Sequence, residues 1–213
     1  MKKTALALAL LATTGVAQAQ SKNFEGAFGT FGVASVSNSL STTLNNGRGA
    51  SLGLKSGDTG TTTTVSGGYN FILDDKFLVG LSASYDLSNV KAGTISGAQD
   101  SQGAFDLTAK MKNHWAIAVE PGYAFSNNAM GYLKLSYNKA KGELAYGDST
   151  LSTKFNGVGL GVGTRIFLDK NLFLQVEGEQ ISYSSKTWTY ANGESESYKP
   201  KSTIARFSIG YKF

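Results

Sequence analysis

The sequence predicts an all-β chain, an eight-stranded antiparallel up-and-down transmembrane β-barrel, and three observations predict it. Beyond residue 20, apolar and polar residues alternate with a period of two, and no stretch keeps a helical period. The connectors between alternating segments are short and long in strict turn. The N-terminus carries the features of an export signal.

The export signal comes first in the chain. Lys2 and Lys3 give a basic start, an apolar run extends from Ala5 to Leu11 and weakly to Val16, and Ala17-Gln18-Ala19 supplies a small-x-small cleavage pattern. The run is shorter than the ~20 apolar residues of a spanning helix. Residues 1–19 are therefore expected to be a cleaved signal peptide, and residues 20–213 a single barrel domain whose mature end is Gln20.

Composition fits strands better than helices. The chain holds 26 glycines, 10 tyrosines and 12 phenylalanines but only 2 prolines. Mean hydropathy is −0.14, which ordinary hydropathy would read as soluble. With no cysteine, the chain has neither a disulfide framework nor a thiolate metal site. Formal charge is +5 and falls to +3 when Lys2 and Lys3 leave, with no basic run, so nucleic acid is not an expected partner.

The strands follow in order. The first lies within Phe24 to Val36, but Phe28 sits on one parity and Phe31 with Val33 on the other, so its faces stay unassigned. In the second, Val65, Tyr69 and Phe71 alternate with Thr64, Ser66, Gly68 and Asn70. In the third, Phe77, Val79, Leu81, Ala83 and Tyr85 alternate with Gly80, Ser82, Ser84 and Asp86. The fourth sets Trp115, Ile117, Val119 and Tyr123 against His114, Ala116, Ala118, Glu120 and Gly122. The fifth sets Leu133, Leu135 and Tyr137 against Tyr132, Lys134, Ser136 and Asn138. In the sixth, Val158, Leu160, Val162, Thr164 and Ile166 alternate with four glycines and Arg165. In the seventh, Leu172, Leu174 and Val176 alternate with Phe173, Gln175, Glu177 and Glu179. The eighth is clearest: Thr203, Ala205, Phe207, Ile209, Tyr211 and Phe213 share one face, and Ile204, Arg206, Ser208, Gly210 and Lys212 the other.

The connectors separate a barrel from a soluble sandwich. Asp74-Asp75-Lys76, Ser126-Asn127-Asn128-Ala129 and Asp169-Lys170-Asn171 are short, whereas residues 37–60, 89–106, 143–153 and 186–200 read as long polar loops. Strict alternation puts every long loop at one end and every short turn at the other, the plan of a bacterial outer-membrane barrel. Aromatics such as Tyr69, Phe71, Phe77, Tyr123, Phe125, Tyr211 and Phe213 gather at the short-turn end, as an interfacial belt requires.

The lumen of so small a barrel admits only side chains. Its parity collects Asp86, Glu120, Glu177 and Glu179 against Lys112, Lys134, Arg165 and Arg206, which predicts a salt-bridge network, since buried charge is costly unless paired. Glu120 and Lys134 flank one short turn at similar depth and are expected to pair. Gly157, Gly159, Gly161 and Gly163 keep strand period and lack the strand-to-helix turn of a dinucleotide fingerprint. They read as a small-residue wall that admits bulky neighbours. Gly47-Arg48-Gly49 lacks the Gly-Lys-Ser/Thr ending of a phosphate loop. Lys110, Lys139, Lys141, Lys154, Lys186, Lys199 and Lys201 lie near the outer rim and are candidate contacts for lipopolysaccharide phosphates.

Several stretches carry a resemblance: Asn23-Phe24-Glu25-Gly26, Val119-Glu120-Pro121-Gly122-Tyr123, Phe155-Asn156-Gly157-Val158-Gly159, Leu168-Asp169-Lys170-Asn171-Leu172 and Ile209-Gly210-Tyr211-Lys212-Phe213. On these the mature chain resembles small proteobacterial outer-membrane β-barrel proteins of the OmpA-barrel, OmpX/Ail and opacity type. The resemblance implies residence in the cell outer membrane. It also implies that Phe207, Ile209, Tyr211 and Phe213 form a terminal signal for the barrel-assembly machinery, with periplasmic chaperones as further biogenesis partners. Outer-membrane barrels that modify lipid A use a histidine with a serine and a carboxylate. Here the single histidine, His114, precedes Trp115 and Ala116, so no catalytic residue, metal or cofactor is expected. The expected role is structural or adhesin-like, with loops reaching a host or surface ligand. The alternatives are a narrow ion channel and a lipid A-modifying enzyme.

Overall fold

The computed structural model describes residues 20–45, 51–99, 103–146, 149–189 and 194–213. The expected signal peptide, residues 1–19, and Gly47-Arg48-Gly49 lie outside them. A 3₁₀ turn, Gln20–Phe24, leads into β1 (Gly26–Asn45), β2 (Ser51–Ile72), β3 (Phe77–Asp86), β4 (Val90–Gln99) and β5 (Gly103–Ala124). Then come β6 (Ala129–Tyr146), β7 (Ser149–Phe167), β8 (Leu172–Tyr183), β9 (Lys186–Thr189) and β10 (Ser195–Lys212).

All pairings are antiparallel, and β1 pairs with both β2 and β10, which closes the sheet. Two staves are interrupted. Both β3 and β4 run along β5, at Tyr85↔Trp115 and Val90↔Met111, and both β8 and β9 run along β10, at Ser182↔Lys201 and Lys186↔Tyr198. Each pair is one barrel strand, so the wall has the eight expected strands and closes on itself around the belt, while β4 and β9 are each paired on one side only.

The long polar loops expected from sequence are mostly strand. The β1–β2 ladder continues to Asn45↔Ser51, β4–β5 to Gln99↔Gly103, β6–β7 to Tyr146↔Ser149, and β9–β10 to Thr189↔Ser195. Serine and threonine dominate the first of these, and threonine favours strands. Continued pairing also satisfies backbone groups that an irregular loop would leave to water. The wall therefore extends well past its apolar belt as four hairpins.

That belt is an inverted core. Phe31, Val33, Leu81, Ile117, Val119, Leu133, Leu135, Val158, Leu160, Val162, Val176, Phe207 and Ile209 all point outward and are exposed. The first strand's faces are now assigned: Phe28 is buried in the lumen while Phe31 and Val33 face out. Phe28 fits inside because Gly68 opposite it on β2 has no side chain; a Cβ there would strike the ring. At the short-turn end, aromatic pairs Tyr69–Phe71, Phe77–Tyr123 and Tyr211–Phe213 stand 4.7, 5.1 and 5.4 Å apart. At the hairpin end, Trp115 and Tyr137 pair at 6.3 Å. Two aromatic girdles thus bound the belt.

The 3₁₀ turn folds across the short-turn mouth. Ser21 is fully buried, its N–H donating to the Asp75 carbonyl at 2.9 Å and its hydroxyl to the Asp74 carbonyl at 2.6 Å. Phe24 enters the lumen, edge-on to Phe167 at 5.2 Å, and its carbonyl accepts from Asn70 Nδ2 at 2.8 Å.

Candidate functional site

The inward side chains stack in layers along the barrel. Nearest the short-turn end is an apolar cluster of Phe24, Leu78, Ala124, Met130 and Tyr132, flanked by Ile72 and Phe167. Arg165 of β7 lies on this floor, its guanidinium carbon 4.1 Å from the Phe28 ring centre and 4.7 Å from that of Tyr132. Each of its three nitrogens donates one hydrogen bond: Nη2 to Glu120 Oε2 at 2.6 Å, Nε to Gln175 Oε1 at 2.8 Å, and Nη1 to Asn70 Oδ1 at 3.2 Å. Glu120 Oε1 accepts from Ser82 Oγ at 2.5 Å.

The next layer centres on Glu177 of β8. It accepts from Lys134 Nζ at 2.8 Å, from Tyr132 Oη at 3.0 Å and from Arg206 Nη1. Lys134 also reaches Glu179 Oε2 at 3.1 Å. Above it the chain of hydrogen bonds continues through Ser136, which donates to Glu179 and accepts from Asn138 Nδ2 at 2.6 Å. That leaves the Asn138 oxygen for His114 Nε2 at 3.0 Å, while His114 Nδ1 faces Asp86 Oδ2 at 2.8 Å. Thr64 Oγ1 donates to the other Asp86 oxygen at 2.8 Å. A second apolar cluster covers this layer: Ala34, Val36, Val90, Ala140, Ile181, Tyr183 and Ile204, packed with Met111 and Phe155. A cavity of about 10 Å³ between Asp86, Met111 and Tyr183 is roughly the space of one water.

The lumen therefore contains three cations, Lys134, Arg165 and Arg206, against Asp86, Glu120, Glu177 and Glu179, with His114 on the fourth carboxylate. Seven of the eight residues expected in the network are there. Lys112 is not. A bulge between Lys112 and Trp115, with Asn113 at φ 50°, shifts the alternation of β5. His114 points inward below the bulge and Met111 above it, so Lys112 turns out and binds Glu143 Oε2 at 2.5 Å. The expected Glu120–Lys134 pair is also corrected. The two lie beside each other in the hairpin register, yet Glu120 turns to Arg165 and Lys134 to Glu177 and Glu179.

Asn70, Ser82, Tyr132, Ser136, Asn138 and Gln175 complete the network, and the sequence reading did not name them as part of it. Their signal was available, because they share inward parity with the charged residues. The glycine wall behaves as expected from its spacing. A Cβ at Gly163 would strike the Tyr132 ring, at Gly159 it would strike Ser136 and Glu179, and at Gly157 it would meet Tyr183. His114 has Asn138, not serine, on Nε2.

The remaining expected residues lie on the outer surface. Phe207, Ile209 and Tyr211 on β10, with Phe213 just past its end, form an exposed row, and the Phe213 N–H donates to the Ala27 carbonyl at 2.9 Å. Lys110, Lys139, Lys141 and Lys154 face outward on β5, β6 and β7, Lys186 lies on β9, and Lys199 and Lys201 on β10. Lys139 Nζ sits 5.8 Å from the Trp115 ring centre. Hydrogen bonds from Lys112 and then Lys141 hold the Glu143 carboxyl below its ordinary value.

A family model described as "Outer membrane protein beta-barrel domain" matches residues 4–213. No curated protein matches the chain. Among solved structures, the chain is similar to the outer membrane protein OprG from Pseudomonas aeruginosa, with TM-score 0.55 and 15% identity, over 89% of this chain and 96% of that one. It is similar to the outer membrane protease OmpT from Escherichia coli, with TM-score 0.53 and 11% identity, over 89% and 97%. Ail, the attachment invasion locus protein of Yersinia pestis, matches with TM-score 0.45 and 14% identity, over 85% and 99%. At these identities the first two likenesses are likenesses of fold.

Proposed function

Because the chain belongs to the outer membrane protein β-barrel domain family and is an integral protein of the Gram-negative outer membrane, we propose that it is a sealed barrel displaying four hairpins at the cell surface for structural or adhesive contact. One observation carries this reading: each buried lumenal carboxylate among the described residues contacts a lysine, an arginine or His114, and these layers lie between two apolar clusters. A permeating ion would have to separate buried pairs, each about 3–5 kcal/mol to break when one partner is lost. Function then falls to the outer surface, where the ladders of β1–β2, β4–β5, β6–β7 and β9–β10 run past the apolar belt. The His114 arrangement fits the same reading, since both ring nitrogens are engaged within the network.

The rest of the proposed life history rests on the N-terminal export pattern and on the family resemblance. Residues 1–19 are removed on export, periplasmic chaperones carry the chain, and the row ending at Phe213 is read by the barrel-assembly machinery. The test is to shorten the four hairpins to the edge of the belt and compare cells carrying wild-type and shortened barrels. The expected result is a folded, outer-membrane barrel with lost adhesion of cells to host matrix and epithelial surfaces. Unchanged adhesion, together with small-solute uptake that depends on the gene, overturns the reading.

A further inference from the structure

Residues 20–25 stand outside the wall and cross its short-turn mouth. The strand ladders begin only at Gly26, opposite Asn70, and at Phe28, opposite Lys212. Gly26 has φ 117° and is the one glycine of positive φ among the described residues. The chain thus leaves the line of β1 through a conformation that side chains resist. Beyond that bend the segment reaches all three turns of the mouth. Ser21 holds the Asp74-Asp75 turn through its N–H and its hydroxyl. Asn23 Nδ2 donates to the Asn127 carbonyl at 2.9 Å. Lys212 Nζ donates to the Asn23 carbonyl at 2.8 Å, and Asn171 Nδ2 donates to the Lys212 carbonyl at 2.5 Å, which ties in the third turn.

Two features set the order in which these contacts form. The bonds Ser21–Asp74, Asn23–Asn127 and Lys212–Asn23 span 53, 104 and 189 residues of sequence. Such distant partners meet cheaply only once the barrel has brought their strands together. The wall itself needs none of them, because β1 meets β2 and β10 through residues from Gly26 onward. Phe24 meanwhile fills the floor of the lumen, 1% exposed among Leu78, Ala124 and Met130. Its carbonyl accepts from Asn70 Nδ2 at 2.8 Å, and Asn70 Oδ1 accepts from Arg165 Nη1 at 3.2 Å, so the segment completes the shell of a buried arginine.

We propose that residues 20–25 are a latch, hinged at Gly26, that seats after the barrel wall has closed, covers the periplasmic mouth and slows unfolding of the finished barrel. Seated, it holds three turns together and keeps water from the apolar floor. Unseated, it leaves the wall whole and the floor open. A contact absent from the folding transition state changes the unfolding rate and leaves the folding rate alone. The latch needs a closed wall but neither hairpin display nor a silent lumen, so it stands or falls apart from the proposed role.

The test uses residues 20–213 folded in nanodiscs, where both mouths meet the medium. The chain has no cysteine, so Ala124→Cys, fully buried on the floor, reports access to a water-soluble maleimide. It is combined in turn with deletion of residues 20–24, with Phe24→Ser, with Gly26→Ala and with Lys22→Gln, whose side chain is exposed. Labelling should quicken at least about tenfold in the deletion, less in Phe24→Ser and Gly26→Ala, and not in Lys22→Gln. In lipid vesicles, deletion from the cysteine-free chain should speed unfolding about tenfold and leave the refolding rate unchanged. Equal labelling with and without the segment overturns the proposal. So does a refolding rate that falls as far as the unfolding rate rises, for the segment would then form with the wall. A deletion variant that fails to fold also overturns it, because the wall would then not close without the latch. Should Ala124→Cys itself not fold, Met130→Cys on the same floor takes its place with the same expectations.

Discussion

Arg165 shows most clearly what a residue does in this lumen. It is fully buried, and its charge is tolerated because Glu120, Gln175 and Asn70 take its donors while Phe28 and Tyr132 flank its plane. Removing it as Arg165→Met should leave Glu120 buried and unpaired and cost about 3–5 kcal/mol. Glu120→Gln should cost a similar amount, and the double variant clearly less than the two together, as read by reversible urea unfolding in lipid vesicles. The cycle of Glu120 with Lys134 should show much smaller coupling, and a reversed order would contradict the assigned partners. Parity alone made the inward charges legible in sequence. Their partners were not legible, because Arg165 and Glu120 sit on non-neighbouring strands, β7 and β5, and meet across the lumen at a height set by strand stagger.

Among elements, the strands and short turns follow directly from period and connector length, whereas two features escaped. The first is the bulge in β5: Asn113 adopts a left-handed φ that asparagine accepts better than most residues, and this turns Lys112 out of the lumen. Alternation counted by parity cannot register an extra residue. Asn113→Val should therefore cost about 1–2 kcal/mol in the same unfolding assay, while Asn113→Gly should be tolerated; equal stability of both would mean the bulge is not held by this conformation. The second is the hairpins, whose polar sequences read as loops although their ladders continue. The last strand joins both kinds of information. Phe213 is exposed on the outer face, meets Tyr211 edge-on at 5.4 Å and ties its N–H to β1. Deleting it should lower outer-membrane yield and leave misfolded protein in the periplasm, because an interfacial anchor and a closing contact vanish together. Unchanged yield and unchanged heat-modifiable migration would contradict that role.

The whole molecule is a soluble domain turned inside out: around the belt the apolar faces of the strands meet lipid, and the inward faces carry the buried charges. Two apolar clusters, one partly supplied by the 3₁₀ turn that crosses the short-turn mouth, enclose the charge-paired layers. On the proposed reading of a sealed barrel, stability and impermeability share one cause, since the pairs that make buried charge tolerable also occupy the space an ion would need. Planar-bilayer recording of the purified, folded barrel tests this most directly. The account predicts a silent bilayer for wild type, with protein insertion verified independently. Discrete unitary steps that shift in size with Glu120→Gln or Arg165→Met, while unfolding stability barely changes, would show that the charges line a path and contradict the account.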